Sequence, residues 1–282
     1  MQFKFRPTVW LAGIFLAAIF LFPPFVSATL AEIVTATSTP AIVERVMGDN
    51  AIYLGENHDS AAIHQQQLEI ITQLQEKLDR NSSDFQGIAI AWEMFQRPFQ
   101  PILDRYLSGT ISESQLQLQT EYDDRWGFDW EFYAPILRFA QEQQIPLIAL
   151  NTPAEITQKV AESGIESLKG SDYRYIPPLA EIKLDNAEYR QRLNNIYQQH
   201  VEEGQGNSTD AANFFAAQVL WDETMAEAIA QRHLAYPQEQ IVVLVGKAHV
   251  MYDYAIPDRV VRRINNPDFA QSILLLEASS VE

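Results

Sequence analysis

Residues 51–60 read AIYLGENHDS, and residues 240–249 read QIVVLVGKAH. In both, an apolar run stops at a glycine and a histidine follows three positions later, giving Gly55 with His58 and Gly246 with His249. Runs as apolar as 51–54 and 240–245 suit strands buried on both faces, which is how strands of a parallel sheet read. Three further runs match them, GIAIAW at 87–92, IPLIAL at 145–150 and SILLLEA at 272–278. Between the first two, Ile63, Ile70, Ile71, Leu74 and Leu78 fall on one face of a 3.6-residue period, which predicts a helix over 60–78. The expected class is therefore α/β, a parallel-type central sheet with helices on both faces.

The stretch between the third and fourth runs is too long for a simple crossover. It contains a helical pattern near 186–201 and a polar segment at 202–213, and it reads as a helical insertion over 159–213, ahead of the fourth strand. The domain as a whole spans 41–282, after a short linker at 29–40.

The N-terminus has the order of an export signal. Lys4 and Arg6 precede the uncharged run Val9 to Phe22, and Val26-Ser27-Ala28 suits a small-residue cleavage site, so residues 1–28 are expected to be removed. Fourteen helical residues reach only about 21 Å, short of the roughly 30 Å hydrocarbon core. An uncleaved segment would instead hold the protein at a membrane, so the expected location is the periplasm or a membrane surface.

Composition excludes several functions. A formal charge of −17 argues against a nucleic-acid partner, because phosphate backbones need clustered Lys and Arg. The chain has no cysteine, so disulfides, thiolate metal sites, thioether-linked haem and a lipid-modified cysteine are all excluded. Any metal must be held by His, carboxylate, Tyr or Met.

In open parallel sheets, ligands bind beyond the carboxyl ends of the strands, where the loops converge. The strand exits here carry Glu56 and His58, Glu93, Asn151, and Lys247 with His249. With 11 Gly and 5 His, roughly 0.2 Gly-x-x-His spacings are expected by chance, yet two occur, both at strand exits. Either histidine alone is explained equally well as a helix cap or loop partner; the pair is what points to a site. Glu93 would be costly at the edge of a buried strand unless paired. Asn151, ahead of Pro153, reads more simply as a turn residue. His64 either faces the site or covers the sheet, His200 reaches it only if the insertion folds over, and His233 reads as a solvated surface residue. The ring-dense stretch 122–137 is ordinarily core, but Trp126, Phe128, Trp130 and Tyr133 could wall a flat ligand, with Arg125 to meet an acid group.

The blocks LGENHDSAAIHQQQLEII, WEMFQRPFQPILDRYLSG, WGFDWEFYAPILRFAQEQQIPLIALNTP, AAQVLWDETMAEAI and VVLVGKAHVMYDYAIPDRV occur in one order over about 42–263. In this the chain resembles ChaN-like haem-binding uptake proteins, of a superfamily that also holds the Tiki and TraB proteins and the erythromycin esterases. The resemblance implies an α/β fold with a helical subdomain and a role in handling haem or iron. It also implies a site drawn from Glu56, His58, His64, Glu93, His249, Gln218, Asp222 and Met225, with His200 after the insertion helix. The lipid anchor of ChaN lipoproteins is not inherited, for want of the cysteine. The tyrosine associated with haem in the family has no single match; Tyr133, Tyr252 and Tyr254 are the candidates.

Two functions follow. One is non-covalent haem binding, with aromatic rings of the Trp126 region against the porphyrin, Arg97, Arg125 or Lys247 near the propionates, and an axial Tyr or His; a haem shared in a homodimer fits this reading. The other is hydrolysis, with His58 and His249 together with Glu56 or Glu93 holding a divalent metal such as zinc and the remaining glutamate as general base, or with a metal-free His58 activated by a carboxylate. Whether the chain is an enzyme stays open at this point.

Overall fold

All five apolar runs form strands, and a sixth strand precedes them. The computed structural model describes residues 31–34, 38–80, 85–202, 208, 210–252 and 254–277. The export signal expected over 1–28 lies outside the described residues. Among those that are described, no helix is long and apolar enough to cross a membrane.

The strands are β1 (Ala31–Val34), β2 (Ala51–Glu56), β3 (Gly87–Gln96), β4 (Leu147–Asn151), β5 (Glu239–Gly246) and β6 (Gln271–Leu276). They form one sheet in the order β1-β6-β2-β5-β3-β4, and every pairing is parallel. The helices are α1 (Thr39–Val46), α2 (Ala61–Arg80), α3 (Gln100–Leu107), α4 (Glu113–Gln119), α5 (Tyr122–Arg125), α6 (Trp130–Glu142), α7 (Ala154–Ser163), α8 (Ala187–Glu202), α9 (Ala211–Ala235) and α10 (Ile256–Ile264). β1 falls in the segment read above as linker.

Side chains alternate across a strand, so each strand feeds both faces. Ile52, Leu54, Ile90 and Trp92 pack beneath α1, α2 and α6. Tyr53, Ala91, Val243 and Val245 pack on the other face, beneath α9 and α10. The expected face of α2 is buried from Ile63 to Leu78. A third core, built from α7, α8 and the first turns of α9 around Tyr189, Leu193 and Phe215, makes the insertion a helical subdomain.

Register sets the site. Glu56 pairs with Gly246 across β2 and β5, while Trp92 pairs with Leu244 across β3 and β5. Glu93 therefore lies at the level of the β5 exit, across β5 from Glu56. Between β3 and β4 the register shifts, Trp92 pairing with Ala149 but Gln96 with Asn151. Such an irregularity bends a strand and re-aims its side chains. At the β4 edge, the Gln100 side chain donates to the Leu147 carbonyl at 2.8 Å and accepts from the Ala149 N–H at 2.8 Å.

Candidate functional site

Beyond Glu56 the chain turns at once, with Ser60 N–H donating to the Asn57 carbonyl at 3.1 Å before α2 begins. His58 sits on this turn. Its Nδ1–H donates to Glu56 Oε1 at 2.8 Å. Glu56, buried, also accepts from Tyr133 OH at 3.0 Å and from Gln67 Nε2 at 2.6 Å. A buried carboxylate with this many donors is satisfied and holds the imidazole in one orientation.

β5 ends in a 3₁₀ turn, Lys247–His249, which points His249 back at β3. Its Nδ1 lies 2.6 Å from Asp222 Oδ1 and its Nε2 3.3 Å from Glu93 Oε1. The other oxygen of Glu93 accepts the Gly246 N–H at 2.6 Å and lies 4.0 Å from His58 Nε2. Asp222, fully buried in α9, receives Tyr189 OH at 2.5 Å. A row of groups thus runs Tyr189, Asp222, His249, Glu93, His58, Glu56, Tyr133.

Gly246 is where the two halves touch. A methyl group there would stand 2.7 Å from His58 Nε2 and 2.9 Å from its Cε1, closer than real contacts allow. Here the glycine serves close approach rather than an unusual backbone angle.

Electrostatics separate the two histidines. Burial alone would lower His249, but the charge of Glu93 and the hydrogen bonds to Asp222 and Glu93 outweigh it and push the imidazole up to about 10. Burial also opposes charge on His58; the hydrogen bond to Glu56 and the charge of Glu93 prevail and leave it above its ordinary value. For Glu93, desolvation would raise the carboxyl, yet cationic His249, its hydrogen bond and His58 hold it below the usual range.

These groups floor a cavity of about 570 Å³. Trp126 and Phe128 pack on His58 at 4.8 and 5.0 Å, Trp221 packs edge-on to His249 at 5.1 Å, and Phe214 completes the apolar lining. Gln96, Asn151 and Thr152 add polar edges. Asn151 is thus more than a turn residue: it lines the cavity and accepts from Trp221 Nε1.

The structure brings together Glu56, His58, Glu93, His249, Asp222, Arg125 and Trp126, and it redirects other expectations. His64 is buried with Nδ1 on Gln67 Oε1 and Nε2 on the His58 carbonyl, so it braces the turn and is not part of the cavity lining. Tyr133 lies beneath Glu56; burial and the Glu56 charge drive its phenol far up, which disfavours the phenolate an iron ligand needs. Met225 is fully enclosed in the core between the sheet and α9. His233 is buried against the Phe269 ring rather than solvated, and desolvation lowers it. Arg97 is tied to Glu227 at 2.7 Å and to the Thr224 carbonyl, away from the cavity, and Lys247 does not line it. His200 falls near the end of α8, with its side chain outside the described residues. The zinc set of Glu56, His58 and His249 is not assembled: both nitrogens of His249 face carboxylates, and Glu56 is taken by three donors. Among the described residues, no group of three or more His, Asp or Glu is placed to hold a metal.

Sequence reasoning missed Tyr189, Gln67, Phe214 and Trp221. Of these, Gln67 had a signal, lying three residues past His64 on the same helix face.

Among the described residues, Arg125 is the one Lys or Arg lining the cavity. It reaches Gln96 Oε1 at 2.9 Å, Glu155 at 2.8 Å and Glu121 at 2.7 Å, and these carboxylates raise it.

A parallel α/β sheet with an imidazole and carboxylate cluster at its carboxyl edge, roofed by a helical subdomain, defines the class. Residues 42–260 match the model of the family described as haem-binding uptake, Tiki superfamily, ChaN, and the chain belongs to that family. Among solved structures it is similar to ChaN of Campylobacter jejuni, described as binding haem cofacially, with a TM-score of 0.65 and 17% identity over 87% of this chain and 88% of that one. It is also matched to an erythromycin esterase mutant, EreC, in its open conformation, with a TM-score of 0.47 and 16% identity over 83% and 72% of the two chains. A curated relative, the chloroplastic RETICULATA-RELATED 5 protein of Arabidopsis thaliana, is 25% identical over 245 residues; the match takes in 83% of this chain but only 32% of that protein's length.

Proposed function

We propose that this chain binds haem non-covalently in the cavity at the carboxyl ends of the strands. The observation that carries the reading is the donor set: within an aromatic-lined space of about 570 Å³, His58 Nε2 is the imidazole nitrogen not committed to a hydrogen bond. Ligand pockets of this size, apolar with a few fixed polar groups, suit a flat organic cofactor. Haem, when bound, would supply an iron centre, and His58 would be the residue to hold it through Nε2. Glu56 fixes the His58 ring, Trp126, Phe128, Phe214 and Trp221 would shield the ligand from water, and Arg125 would be the cation available to an acid group of it.

Titration of the purified protein with hemin is expected to give a saturable Soret change, weakened at least tenfold in His58→Ala. An unchanged affinity in that variant, or no Soret change in the wild type, overturns the assignment. The reading also places the chain in iron uptake, exported after loss of residues 1–28 and either free in a periplasm or held at a membrane. Intact mass measurement of the mature chain tests the cleavage. A homodimer sharing haem is tested by sedimentation with and without hemin.

One observation favours a second reading, hydrolysis without a metal: two imidazoles share one buried carboxylate beside a cavity. There His58 would exchange protons at Nε2 while Glu56 holds Nδ1–H. Turnover in an ester and peptide panel, abolished by His58→Ala, with no Soret response, would place this reading first.

A further inference from the structure

We propose that Tyr189, on helix α8 of the helical subdomain, is a positioning residue for the cavity: its hydroxyl fixes Asp222, and Asp222 fixes the ring of His249. The assignment deepens the proposed function, since it rests on the cavity being the working site.

The geometry is continuous and enclosed. Tyr189 is wholly buried and its OH donates to Asp222 Oδ2 at 2.5 Å, while the other oxygen, Oδ1, lies 2.6 Å from His249 Nδ1. Asp222 has no exposed surface, so no water substitutes for either partner from bulk solvent. A carboxylate held on both oxygens cannot rotate, and hydrogen bonds to a charged group are about twice as strong as neutral ones. The tyrosine is itself held firmly. Its backbone N–H donates to Asn186 Oδ1 at 2.8 Å, its ring meets Phe215 at 6.2 Å, and the Arg259 guanidinium lies over it at 5.7 Å. From α8, this hydroxyl reaches the second Gly-x-x-His arm through Asp222, beside the direct contact of Gln218 Nε2 on α9 with His249 Nδ1 at 3.2 Å. If the subdomain shifts, the link breaks and His249 gains freedom to swing from Glu93.

The test uses haem-free protein labelled with ¹⁵N-histidine, so its failure is separate from failure of the hemin titration. In Tyr189→Phe, the His249 Nδ1–H proton is expected to move and to exchange with solvent at least about tenfold faster. Phe215→Leu, which loosens the same packing but keeps the hydroxyl, is expected to leave that signal in place. Equal exchange in wild type and Tyr189→Phe, or equal effects of the two variants, would overturn the proposal. Should Tyr189→Phe not fold, 3-fluorotyrosine at position 189 offers a more acidic donor with the same shape. A shifted Nδ1–H resonance then supports the link, and an unmoved one rejects it.

Discussion

The two Gly-x-x-His arms share a spacing and differ in almost everything else. His58 keeps 24% of its side chain open, hydrogen-bonds one carboxylate and leaves Nε2 toward the cavity. His249 keeps 8%, and both of its nitrogens face carboxylates. A repeated motif therefore does not mean a repeated role, since one arm leaves a nitrogen open to the cavity and the other is held between two carboxylates. What separates them is the neighbouring chain: α6 supplies a neutral tyrosine beneath Glu56, whereas α9 supplies a second acid beside His249.

The contrast predicts unequal losses. Asp222→Ala should be the most damaging change, because it leaves a buried imidazolium short of a partner; breaking a buried pair costs about 3–5 kcal/mol. Urea unfolding would measure it, and a loss under about 1 kcal/mol would mean that the second arm is not an anchor.

The alkaline limb of stability follows. His249 is raised from 6.5 to about 10, so the stability it contributes is complete below pH 6.5 and fades as pH climbs through 10. Melting temperature across that range should fall more steeply in the wild type than in His249→Gln. Matching slopes would show that the anchor carries no extra proton.

Gly246→Ala should act on both arms, since the added methyl collides with His58 Nε2. Overpacking of this kind costs about 1–3 kcal/mol, and displacement of the ring should remove most of the Soret response. A variant with wild-type stability and spectrum would mean that the two arms do not meet at this glycine. The smallest effect is expected for His58→Ala on folding, within about 1 kcal/mol, because an open side chain leaves little behind to be satisfied. Its effect should appear in ligand binding instead. Hemin affinity of the wild type should also weaken toward acid pH, because a nitrogen donor must shed its proton and that of His58 is held above its ordinary value.

Much of this was legible before any coordinates. Strands buried on both faces announce themselves as unbroken apolar runs, and residues at their exits must converge once the sheet is parallel, so Glu56, His58, Glu93 and His249 could be grouped from position alone. Strand β1 could not be read: four residues beside a polar segment carry no period of their own, and only pairing with β6 makes them a strand. Tyr189 could not be read either, since nothing local links it to a carboxylate 33 positions away. His233 was misjudged because Pro237 marks a helix end, and helix ends are usually wet; the Phe269 ring, brought in by the loop before β6, covers it. Arg97 shows the limit for charge: sequence counts cations but does not tell which carboxylate has already claimed them.

The side chain of Gln100 imitates a strand at the rim of β4, giving one donor and one acceptor to the backbone. An open rim of a parallel sheet is a template on which other chains can stack. One glutamine amide thus occupies backbone groups of that rim, and Gln100→Ala is expected to reveal itself by increased light scattering at high concentration, before any change at the cavity.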